Sequence, residues 1–321
     1  MRAVIKSIST LIVISLVVLT SSCSQVDINK PIRATLFLLD ASKSTLQSVG
    51  IREQQLRERL AGAFSKEEAI YFDFVRNNYT KQIILPLVPM QVIVNVRDII
   101  LVGINNERRQ DEALFEVSKL WNQSISDSRT VNLCIQQDAA KLELETVLDG
   151  QESIEIARNL CVYAEKAKET LSDIRKISSG LAIENAYIGS DIEGAFLRGL
   201  AKLESEAFNL VNRDNSDVKV RASIVISSDM MQRGSDGRTV LEKIRNLSEE
   251  DIADFVLQNL GEQEFTSFRP VVKVDGWLNT KKNFSEKERE SLEMYWKKWF
   301  DVFGLNEPDF DLGVLDWSVD S

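Results

Sequence analysis

The sequence predicts an α/β protein with a Rossmann-like, mostly parallel sheet and helices on both faces. Three observations carry this reading. Near-continuous apolar runs, with Ala34 to Asp40 (ATLFLLD) the first, have the pattern of strands buried on both faces. Charged amphipathic stretches alternate with them, and a strand, helix, strand order implies parallel pairing with crossover helices. Gly and Pro are scarce, 14 and five in 321 residues, which favours long helices over a turn-rich all-β fold.

Taken in order, Ala34–Asp40 is the first strand, and Leu46, Leu56, Leu60 and Phe64 fall near helical spacing after it. Ala69–Val75 is the second strand. Ile83–Val88 is the third, and Pro86 places it at an edge because proline cannot donate to a central ladder. Gln91–Ile100 is strand-like. From about 105 to 180 the chain reads as helical and charged. Ile192, Phe196, Leu200, Leu203 and Ala207 mark another helix, Val218–Ser228 a strongly apolar strand, Val240–Leu260 a helix and Phe268–Val274 a strand. Ser285–Phe303 is the final helix. Ser285 and Glu288 have capping-box spacing, and Leu292, Trp296, Trp299 and Phe303 share a face that is expected to pack in the core.

Composition excludes several chemistries. The chain has no His, so Ser-His-Asp and Cys-His catalysis, His-ligated zinc and proximal-His haem are all ruled out. Three Cys cannot form a four-thiolate zinc site. With 39 Lys+Arg against 49 Asp+Glu, the net charge of -10 argues against a nucleic-acid partner.

The amino-terminal stretch accounts for one cysteine. Arg2 and Lys6 precede a short apolar run, Leu11–Leu19, and the small residues Thr20, Ser21 and Ser22 lead into Cys23. The run is too short to span a bilayer, which takes about 20 residues, and its order is that of a secretion signal. It resembles a bacterial lipoprotein signal, which implies cleavage after residue 22, acylation of Cys23, and a place in the cell envelope. There the protein would be anchored by lipid, at an outer membrane, facing the periplasm or the cell surface. Cleavage removes Arg2 and Lys6 and no acid, so an already anionic body becomes more so. Attachment is therefore expected from acyl chains and not from a basic patch. Export also makes Cys134 and Cys161 an expected disulfide, because they are an even pair in an oxidising compartment.

Sheets of this kind place their sites at the carboxyl ends of strands, near the point where strand order reverses. The sequence puts Asp40-Ala41-Ser42-Lys43-Ser44 at the first such end and Ser228-Asp229-Met230 at another. Gly189-Ser190-Asp191-Ile192 comes just before a helix. The first segment matches the D-x-S-x-S motif of the von Willebrand factor type A (VWA) family. The 189–192 segment resembles that family's second metal loop, usually G-T-D-I, and Asp229 resembles its third. Ser190 stands where Thr is usual, and Met230 follows Asp229 where Gly is common. The resemblance covers roughly 32–75 and 185–275. It implies residues 23–31 as a linker and 32–310 as a VWA-like domain, interrupted by a helical insertion at about 105–180.

The resemblance further implies a metal-ion-dependent adhesion site (MIDAS). Ser42, Ser44 and Ser190 would offer hydroxyls, and Asp40 and Asp229 would bind directly or through water, to Mg²⁺ or else Mn²⁺ or Ca²⁺. An open coordination position would accept a carboxylate from a partner protein. The expected function is thus metal-assisted protein binding and not catalysis. A metal-dependent hydrolase built on Asp40 and Asp229, and a scaffold whose metal site is degenerate, are the alternatives. Glu143, Glu145, Glu152 and Glu155 read as solvated helix surface and not as a second metal site.

Overall fold

The computed structural model describes residues 30–40, 46–75, 84–126, 144–145, 148, 150–179, 190–214, 218–232, 238–260, 268–275, 284–306 and 309–310. Among the described residues six strands form one sheet: β1 Ile32–Asp40, β2 Glu68–Val75, β3 Leu85–Val88, β4 Val220–Ser227, β5 Val271–Asp275 and β6 Asp309–Phe310. Their order is β3-β2-β1-β4-β5-β6. Only β3 runs antiparallel, paired to β2 at the edge with Tyr71 opposite Pro86, as the missing proline N–H requires. The other pairings are parallel. Strand order reverses between β1 and β4, so the crevice for a ligand lies at the carboxyl ends of those two strands.

Helices cover both faces of the sheet. Side chains alternate along β1. On one face Leu36 packs so closely against Gly199 of helix α5 (Ile192–Asp214) that a Cβ there would lie 2.2 Å from Leu36 Cδ2. On the other face Thr35 shares Glu68 with Arg59 from the last turn of α1 (Leu46–Ala61). Strands β1 and β2 are accordingly buried almost throughout.

Residues 91–100, expected as a strand, lie instead in helix α2 (Met90–Gly103). Its β-branched residues suggest a strand, but the buried positions Met90, Val92, Ile93, Val94, Val96, Arg97 and Ile100 follow helical spacing. Pro89, with φ -66°, sits at the N-cap and lacks only an N–H that the first turn leaves unbonded anyway. The stretch 240–260, expected as one helix, is two: α6 (Val240–Ile244) and α7 (Glu249–Leu260). A capping box of Thr239 and Glu242 starts the first. Ser248 and Asp251 exchange backbone and side-chain bonds to start the second. The capping box expected at Ser285 and Glu288 opens α8 (Glu286–Val302).

The charged stretch after residue 105 supplies α3 (Glu107–Ser126) and α4 (Gly150–Ser178), which pack on α1 and on each other. Trp121 is fully buried; its Nε1 donates to Leu60 O at 2.6 Å and its ring stands edge-on to Phe64. The Arg57 guanidinium donates to Ile125 O at 2.7 Å, and Arg175 pairs with Glu53 at 3.0 Å. The α8 aromatics Trp296, Trp299, Phe300 and Phe303 are buried, and the last three close around Phe196 of α5. No helix among the described residues is long and apolar enough to cross a membrane.

Candidate functional site

Asp40 is the last residue of β1, and its parity places it on the α5 face, in line with Leu36 and Leu38. The short segment leading into α5 therefore meets it. Ser190 Oγ donates to Asp40 Oδ1 at 2.9 Å, although 150 residues separate the two in sequence. On the β4 side, Leu39 is in register with Ser227, so Ser228 lies beside Asp40. Ser228 Oγ donates to Asp40 Oδ2 at 2.7 Å and accepts the Met230 N–H at 3.0 Å. Both carboxylate oxygens thus hold a hydroxyl from a different loop. Asp40 is fully buried at the end of its strand. Hydrogen bonds to charged groups contribute about 1.5–3 kcal/mol each, so this junction also fastens the three loops together.

Asp229 and Ser190 are also buried, at 5% and 2% exposure. Asp229 Oδ1 accepts the Met231 N–H at 3.1 Å, which curls the chain just after β4. That turn puts Met230 at φ 59°, in the left-handed region where a side chain is disfavoured. Two contacts hold Met230 in place: its side chain is fully buried, and Trp296 Nε1 donates to its carbonyl at 3.0 Å.

Asp191 is the N-cap of α5. Its Oδ1 accepts the Gly194 N–H at 2.9 Å, and its Oδ2 lies 3.4 Å from Arg198. A Cβ at residue 194 would sit 2.1 Å from that carboxylate, so only glycine lets the cap close. Ser190 also bridges in parallel fashion to Gln232, whose Oε1 accepts the Glu193 N–H at 2.9 Å. Glu193 in turn receives a 2.5 Å bond from Tyr295 Oη. Burial raises the Glu193 pKa above its ordinary value, and the bonds from Tyr295 and Gln232 offset part of that shift.

Of the expected site residues, Asp40, Ser190 and Asp229 are gathered at the ends of β1 and β4. Ser42, Ser44, Cys23 and Cys134 lie outside the described residues. Cys161 is disulfide-bonded, and its partner cysteine is outside the described residues. Sequence reasoning did not single out Ser228 or Gln232. Ser228 could have been found, since it precedes Asp229 at a strand end. Gln232 carries no comparable signal. Among the described residues no three acidic or thiol groups cluster around one point. The donors at hand are two carboxylates and hydroxyls, an all-oxygen set that suits a hard cation with retained waters.

The fold and this crevice define an α/β protein of Rossmann-like strand order with an acidic, hydroxyl-lined junction at its switch point. Compared with protein-family models, curated proteins and solved structures, the chain has no significant match.

Proposed function

We propose that the chain is an exported, lipid-anchored VWA-like protein that binds a partner protein through a divalent cation. The observation that supports this best is the double engagement of Asp40 by Ser190 and Ser228. It brings the D-x-S-x-S end of β1, the 189–192 loop and the Ser228-Asp229 turn to one place. Asp40, Asp229 and Ser190, with Ser42 and Ser44 from the same motif, would hold Mg²⁺, Mn²⁺ or Ca²⁺. Such a cation supplies an open position for a partner's carboxylate oxygen. Each serine hydroxyl that donates its proton to Asp40 keeps its oxygen lone pairs for a second contact. The N-cap at Asp191 and the Glu193–Tyr295 bond hold the Ser190 loop in register with β1. Because pairing is directional at a desolvated contact, the arrangement favours recognition over turnover. The chain has no histidine to act as a base, so the hydrolase reading has less support. The degenerate-scaffold reading is decided by the experiment below.

The test is thermal melting in Mg²⁺, Mn²⁺ or Ca²⁺ against chelator, paired with cross-linking on cells in the same two conditions. At free metal ten times the dissociation constant, linkage gives about 1.4 kcal/mol, a rise of about 3–6 °C for a domain of this size. Ser190→Ala should shrink that rise, and Ser190→Thr should keep it. No shift at millimolar metal, with an unchanged cross-linked set, would leave the scaffold reading in its place.

A further inference from the structure

We propose that a pocket at the opposite end of the sheet is a binding site for a phosphate-class oxyanion. The pocket has a volume of about 430 Å³, and Arg33, Arg59, Arg221 and Arg269 line it together with Thr35 and Ser223. Four guanidinium groups meeting in one hollow are unexpected in a chain whose net charge is -10.

Strand register explains how they meet. Arg33 is the second residue of β1 and Arg221 the second of β4, and the two are direct partners across the parallel pair. Ser223 is the partner of Val271, so Arg269, two residues before Val271, continues the same row on the same face. Arg59 closes the hollow from α1, but its charge is matched by Glu68 at 2.7 Å, and the Thr35 hydroxyl also donates to Glu68. Arg221 is different. It is exposed, and its side chain makes no ion pair or hydrogen bond among the described residues. Arg269 lies along the backbone at Gly304, where a Cβ would come within 3.1 Å of its guanidinium, so a larger residue there would crowd it. A tetrahedral oxyanion matches this row, because guanidinium forks bind phosphate oxygens in pairs. The volume leaves room for a substituent on the phosphate, as an ester or a lipid headgroup carries.

Position suggests the source. Residues 30 and 31, on the side of the chain that leads back to Cys23, enter β1 at this same end. The carboxylates Asp40, Asp229 and Asp275 sit at the far end of their strands. An anchor at Cys23 would therefore join the fold at the arginine end of the sheet and not at its acidic end.

Two measurements on the full chain test this, with Cys23→Ser to remove acylation and with or without Arg221→Gln/Arg269→Gln. Both arginines are exposed, so the double variant should fold. In the first, inorganic phosphate is titrated against chloride at equal ionic strength. At ten times its dissociation constant it should raise the melting temperature by about 3–6 °C, and the double variant should not respond. In the second, phosphatidylglycerol vesicles should sediment several-fold more protein than phosphatidylcholine vesicles, and the double variant should lose that excess. A phosphate response that depends on the arginines, without a vesicle excess, supports the site and assigns it a soluble phosphate ester. A phosphate response that is equal in both proteins, or absent, overturns the proposal.

Discussion

Arg52 on α1 and Asp275 at the end of β5 form an ion pair with both side chains out of solvent, 223 residues apart in sequence. Burial lowers the Arg52 pKa, and the adjacent Asp275 works against that shift. The pair ties the helix that follows the Asp40 loop to the strand beyond β4, and Ser228 N–H donates to Asp275 O at 2.8 Å. Removing one partner of a buried pair leaves an uncompensated charge, which costs about 3–5 kcal/mol. Arg52→Ala should therefore cost that much in chemical denaturation, and Arg52→Met/Asp275→Leu should recover most of it. A double variant as unstable as the single one would mean that the pair's other contacts matter more than its charge.

At Met230, strain and burial oppose each other. Gly at φ 59° would relieve about 1–2 kcal/mol of left-handed strain. Removing a fully buried Met side chain costs about 2–5 kcal/mol. The loss of burial outweighs the relief of strain, so Met230→Gly should destabilise by about 1–3 kcal/mol. Equal or higher stability of the variant, by urea midpoint, would show that the side chain packs poorly.

Glu193 sets a pH dependence. Its folded pKa is raised by burial, so the folded state binds its proton more tightly than the unfolded state does. The resulting stability is fully present below the unfolded value, about 4.3, and is lost as pH rises through the higher folded value. Glu193→Gln should flatten melting temperature against pH in that window, with its largest gain over wild type on the neutral side. An unchanged slope would assign the dependence to other carboxyls.

Legibility in the sequence followed burial. Strands β1 and β4 were readable because burial on both faces writes a continuous apolar run, and α8 because its cap and its aromatic face agree. Helix α2 was not, since Val92, Ile93, Val94 and Val96 have the composition of a strand while the buried set has the period of a helix. The split at Ser248 was written in a cap that the apolar periodicity concealed. At the end of β1, the bond from Ser190 to Asp40 joins two positions that the sequence singles out. Ser228 became visible only when register placed it beside Asp40. The arginine row could not be read at all: Arg33, Arg221 and Arg269 are remote in sequence, and strand order alone makes them neighbours.

The disulfide at Cys161 can be assigned by peptide mapping without reduction. The expected link is Cys134–Cys161, and closing that loop stabilises by about 3–4 kcal/mol in the chain-entropy model. Reduction should lower the melting temperature accordingly. A Cys23–Cys161 link would instead show that the Cys23 sulfur is not acylated.

Asp40 separates a metal site from a merely structural junction. Its carboxylate is buried with a hydroxyl on each oxygen. Asp40→Asn removes the burial penalty of the charge, several kcal/mol. It also loses one charge-assisted bond, about 1.5–3 kcal/mol, because the amide nitrogen cannot accept. In chelator these effects oppose each other, and the variant should melt close to wild type. If the carboxylate holds a cation, adding Mg²⁺ should raise only the wild type. If it is only a structural fastener, metal should move neither protein. The two proteins melted in the two buffers decide between these outcomes, and they do so without any knowledge of the partner.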